Sequence, residues 1–136
     1  MKRWIICAAC LLLILSGCKN RNKILTVSQP ADQITCVEFV DNREEPVARE
    51  ITDPETIRVL AKELSALELE RAWNDPPAEY GKFLILIHFA NGDVQIIGYT
   101  AMGYISGGIE EMNMWYSPDP DPFDEILKRY AGFQIE

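Results

Sequence analysis

KFLILIHFANGDVQIIGYT, residues 82–100, holds two strands and the turn between them. The run Phe83–Phe89 is apolar on both faces and short, which predicts a central strand rather than a helix. Asn91-Gly92 is a strong hairpin signal, because both residues tolerate the positive φ of a two-residue type I′ turn. The returning segment DVQIIGYT should therefore pair antiparallel with the first.

Working outward, ITCVEFV (residues 34–40) alternates imperfectly and reads as a further strand, and Val47–Ile51 as a short one after the charged break DNREEP. Thr52, Asp53, Pro54 and Glu55 then announce a helix. Either Asp53 caps it with Pro54 at the first helical position, or Thr52 caps it with Glu55 in a capping box. Ile57, Leu60, Ala61 and Leu64 recur at helical spacing and give it one apolar stripe. Leu67 and Leu69 alternate with Glu68 and Glu70 as a strand that runs into the proline-containing loop RAWNDPPAEYG. Gly107-Gly108 marks another turn, with a return strand expected through Met112, Met114 and Trp115. A second helix begins near Asp121 and Pro122, with a stripe of Phe123, Ile126, Leu127 and Tyr130. Two helices packed against one antiparallel sheet of about four to six strands predict a two-layer α+β fold.

The 136-residue chain has room for one such core. Its N-terminus reads as a targeting segment: Lys2 and Arg3 precede the apolar run WIICAACLLLILSG. That run is too short to span a bilayer, which takes roughly 20 residues of helix. Leu15, Ser16, Gly17 and Cys18 resemble the lipobox of bacterial lipoproteins, in which the cysteine is acylated and becomes the first residue of the exported protein. The expected organisation is a signal peptide at 1–17, lipidated Cys18 with a flexible tether over 18–33, and a single α+β domain over 34–136. Ile24–Val27 is the one part of the tether apolar enough to add an edge strand.

After cleavage, 11 bases face 21 acids, a formal charge of −10. Lys19, Arg21 and Lys23 lie next to the anchor, and beyond them 8 bases face 21 acids, a balance of −13. A body of that sign repels nucleic acid and anionic lipid, so neither is an expected partner beyond the bilayer that holds the acyl chains. Once Cys18 is acylated and Cys7 and Cys10 are removed, Cys36 stands alone and no internal disulfide can form.

Few residues suggest chemistry. His88 is the one histidine and sits inside a strand, Cys36 has no evident base, and a zinc site would need several such ligands. No catalytic residue, cofactor or metal is assigned. Asp119, Asp121 and Asp124 offer the oxygen ligands calcium takes. However, Pro118, Pro120 and Pro122 break the EF-hand pattern, and helix capping explains the same acids. The aromatic residues Trp73, Tyr80, Tyr99, Tyr104, Trp115 and Tyr116 surround turns and loops, where they would give a ligand or partner surface.

The order of these signals, a helix announced by ITDPETI, a hairpin of the form LILIHFANGDVQI and a Tyr/Gly-rich stretch before a last helix, resembles small uncharacterised Gram-positive lipoproteins. The resemblance implies a surface-tethered domain without an established reaction and carries over no active site; a monomer is expected. The leading expectation is a lipid-anchored, extracytoplasmic binding or protein-interaction domain of the cell envelope, for a protein or glycan ligand. An envelope inhibitor or immunity-like protein is the alternative, and a carboxylate-based wall or glycan hydrolase stands behind both. In a two-membrane host, Lys19 in place of the retaining Asp would permit outer-membrane delivery.

Overall fold

A computed structural model describes residues 23–71, 82–100, 104–106, 115–116 and 121–135. They form a two-layer α+β fold. The strands are β1 (Lys23–Ile24), β2 (Ile34–Asp41), β3 (Val47–Ile51), β4 (Glu68–Arg71), β5 (Phe83–Phe89), β6 (Val94–Tyr99), β7 (Tyr104–Ser106) and β8 (Trp115–Tyr116). They join in one sheet in the order β1-β4-β8-β7-β6-β5-β2-β3, every pairing antiparallel. The body of the sheet is the four-strand block β3-β2-β5-β6; the segments beyond it are two to four residues long. β5 lies between β2 and β6, the central place its apolar run requires.

Helix α1 (Pro54–Leu64) starts in the first of the two ways the sequence allows. The Asp53 carboxylate accepts from the Thr56 backbone N–H at 2.8 Å and from its hydroxyl at 2.7 Å, and these bonds hold its pKa below the ordinary value. Pro54, which lacks an N–H, occupies the first turn, where none is needed. Ile57, Leu60, Ala61 and Leu64 are all buried against the sheet. Helix α2 (Asp121–Ile126) runs on as a π-helical turn over Leu127–Ala131 and stops at Gly132, whose φ of 70° suits a residue without a Cβ. Phe123, Ile126 and Leu127 are buried, and Tyr130 stacks on Phe39 with ring centroids 6.3 Å apart. An Arg129–Glu63 ion pair at 2.7 Å ties the two helices together.

Both helices lie on the face of the sheet made by Val37, Phe39, Phe83, Ile85, Ile87, Ile97 and Tyr99. The hairpin between β5 and β6 is antiparallel as expected, but its loop is longer than a two-residue type I′ turn. Phe89 N–H donates to the Asp93 carbonyl, Gly92 N–H donates to the Phe89 carbonyl at 3.0 Å, and Gly92 takes φ 91°. Asn91 contributes its side chain: its amide oxygen accepts from Asp93 N–H at 3.0 Å. Local side-chain bonding of this kind competes with the tighter turn.

Part of the segment expected as a tether, residues 23–33, is packed on the domain, and the apolar patch expected there to offer an edge strand does reach the sheet. β1 pairs with β4, Leu25 is wholly buried, and its N–H donates to the Leu67 carbonyl at 2.9 Å. Gln95 clamps the next residues, its Nε2 donating to the Thr26 carbonyl and its Oε1 accepting from Ser28 N–H at 2.8 Å. A single 3-10 turn at Ala31–Gln33 then delivers the chain into β2. One leucine seated in the core and these three hydrogen bonds outweigh the polar character of the residues around it.

Candidate functional site

The register of the four-strand block fixes what its second face presents. Side chains alternate along each strand, so the residues between the core positions all point away from the helices. Cross-strand partners arrange them in three rows: Ala48, Val40, Leu84 and Gly98; Glu50, Glu38, Leu86 and Ile96; Cys36, His88 and Val94. No described element packs on this face. Val40, Leu84 and Leu86 are half-buried by their neighbours, whereas Val94 and Ile96 are 45% and 53% exposed. The result is a contiguous apolar block on β5 and β6, bordered on the β2–β3 side by two carboxylates.

Those carboxylates stand directly opposite each other, Glu38 against Glu50. Like charges in that position destabilise a sheet. His88 Nε2 lies 3.5 Å from Glu38 Oε2, and among the described residues Glu50 forms no ion pair. The neighbouring Arg49 points the other way, its guanidinium donating to the Ala48 carbonyl. Cys36 feels the same pair. Burial pushes its thiol above the usual range, and the charges of Glu50 and Glu38 push it further, against a hydrogen bond from the Ile51 backbone. Such a thiol stays protonated and is a poor nucleophile.

Of the six aromatic residues expected to give a surface, one, Tyr99, is placed in the core. Tyr99 must be removed from that surface: the ring is fully buried, 4.2 Å from the Phe123 ring centroid, and its hydroxyl donates to Asp124 Oδ1 at 2.5 Å. Its place in β6 faces the helices, so it closes the core instead of meeting solvent. Tyr104 stands opposite Tyr116, and Ile105 opposite Trp115, in the β7–β8 ladder. Trp73 and Tyr80 lie outside the described residues, as do Cys18, Asp119, Met112, Met114 and Gly107-Gly108.

Of the three acids considered for calcium, Asp124 holds the Tyr99 hydroxyl and Asp121 is exposed in the first turn of α2. Among the described residues, no group of three or more His, Cys, Asp or Glu side chains could hold a metal ion. Two clefts of about 560 Å³ open elsewhere. The first, beside β3, contains Asp41, whose carboxylate is held below its usual pKa by the Arg43 side chain at 2.8 Å. The second, between the N-terminal segment and α1, contains Arg58 and Lys62, and Arg58 is paired with Glu55 at 2.6 Å. Neither joins a nucleophile to a base.

The open face went unrecognised in the sequence for a definite reason. A strand apolar on both sides reads as buried on both sides, and nothing local to FLILIHF reveals that no described element packs on one of them. The signal that existed was the pair of exposed apolar residues at alternate positions, Val94 and Ile96, facing a run that already had its core in Ile85 and Ile87. No family model matches the chain, and no curated protein or solved structure is found to be similar to it.

Proposed function

We propose that this chain is a lipid-anchored domain of the cell envelope that acts by binding a protein partner on its open sheet face. One observation carries the reading: the apolar block of Val40, Leu84, Leu86, Val94 and Ile96 on a sheet whose other face is fully occupied. A contiguous apolar patch with a polar border is the usual form of an interaction surface. The anchor is supported by the Leu15–Cys18 lipobox behind its basic and apolar leader.

Two measurements test it. A photoreactive amino acid placed at Ile96 should give a discrete protein adduct in intact cells, while the same group at Val59, 44% exposed on α1, should not. Adducts of equal yield at both positions, or none at Ile96, would remove the binding assignment. Labelled palmitate should enter the chain and be lost in the Cys18→Ala variant; incorporation that survives this substitution would remove the anchor.

A further inference from the structure

The partner chemistry follows from the border of the same face. Glu38 and Glu50 are on adjacent strands, opposite each other, and the row continues directly into Leu86 and Ile96. In the free protein this arrangement pairs like charges across β2 and β3, and among the described residues the one basic side chain within 4.0 Å of either carboxylate is His88, against Glu38. A metal ion does not fit, because among the described residues no group of three or more His, Cys, Asp or Glu side chains is arranged to hold one. A second copy of the chain does not fit either, since it would bring a second acidic pair and a second body of the same negative sign against the first.

Resting on the reading of the open face as the binding surface, we propose that it receives a protein partner bearing a Lys or Arg side chain within an apolar patch. That cation sits between Glu38 and Glu50, and the apolar residues around it cover Leu84, Leu86, Val94 and Ile96. Charge complementarity selects this occupant. A cation placed between the acids removes their mutual repulsion, and the balance of −13 beyond Lys23 steers a basic surface inward. The apolar block makes the contact dry enough for the ion pairs to discriminate, so that a neutral or acidic partner is rejected instead of merely bound less well.

The test uses the full-length chain in phosphatidylcholine nanodiscs, with Ile, Leu and Val methyl groups labelled for NMR. The probes are three nine-residue peptides of alternating Val with Lys, with Thr or with Glu. The Val/Lys peptide should shift Val40, Leu84, Leu86, Val94 and Ile96 while leaving Val47 and Val59 unmoved. The Glu38→Gln/Glu50→Gln double variant should weaken it by about 10-fold or more, as loss of close charge pairs does at an interface. Equal shifts at these methyls with the Thr peptide would overturn the cation requirement and leave the open face as a binding surface. Shifts at Val47 or Val59 alone would overturn the placement. If no peptide moves the open-face methyls, both this inference and the binding reading fall.

Discussion

The two faces of the β2-β5-β6 block are made by the same three strands and differ in almost everything else. On the helix side, Phe39, Phe83, Ile85, Ile87, Ile97 and Tyr99 are all at 0% exposure. On the other side, apolar residues of similar size stop at half-burial, and Ile96 keeps 53% of its surface. Burial of apolar area is worth roughly 25 cal/mol per Å². The helix side therefore carries the stability of the domain, and the open side holds apolar surface that folding alone does not use. Two faces of one sheet thus divide the work, one specifying the fold and the other available to a partner.

The largest break in this comparison comes from Phe83→Ala. Its ring contacts Tyr99 and Phe133, with centroids 6.4 and 6.1 Å away, and the Arg43 guanidinium lies 4.8 Å above it. Truncation leaves a cavity among groups that cannot all collapse, and should cost about 3–5 kcal/mol in urea unfolding. A loss below 1 kcal/mol would mean that the covered face is not the main source of stability.

Tyr99→Phe removes a single oxygen from the same layer. The part-buried Asp124 carboxylate then loses its hydroxyl donor, and hydrogen bonds to charged groups contribute about 1.5–3 kcal/mol. The expected loss lies toward the lower end, because Asp124 keeps partial access to water. An unchanged urea midpoint would show that the tyrosine acts only through its ring.

Leu86→Ala, one residue from the fully buried Ile85 and Ile87, should cost about 1–2 kcal/mol, less than a core leucine, since part of the side chain keeps its contact with water. The contrast between neighbours on one strand is the point: a cost as large as that of a core leucine, ~2–5 kcal/mol, would mean that the open face is covered in the folded protein.

What could be read from the chain divides along the same line. Asp53-Pro54 and the stripe from Ile57 to Leu64 state their helix locally, because a cap and a 3.6-residue period are contained within a few turns of sequence. The β5–β6 hairpin is equally local. By contrast, Tyr99 follows Gly98 at the end of a strand and looks like a residue of a turn surface. Its burial depends on Phe123, more than twenty residues away in sequence. Leu25 belongs to the short apolar patch Ile24–Val27, legible as a candidate edge strand, but the β4 edge that receives it lies more than forty residues away in sequence. The Glu38–Glu50 pairing is likewise invisible until the β2–β3 register is known, since the two acids are twelve positions apart and are separated by a charged loop.

The smallest expected effect runs opposite in sign. Glu50→Thr replaces one member of the opposed pair with a residue of better strand propensity, and should raise stability by roughly 0.2–1 kcal/mol, the range of a cross-strand pair. The gain should shrink at high salt as screening weakens the repulsion that the substitution removes. A substitution that stabilises the free domain while abolishing capture of a basic apolar peptide would separate the two faces by function: residues opposite the helices are selected by the fold, whereas Glu38 and Glu50 weaken the fold and acquire a role only in a complex. If Glu50→Thr instead lowers the urea midpoint, the pair is already compensated in the free protein, and the division between a stabilising and a recognising face no longer holds at its acidic border.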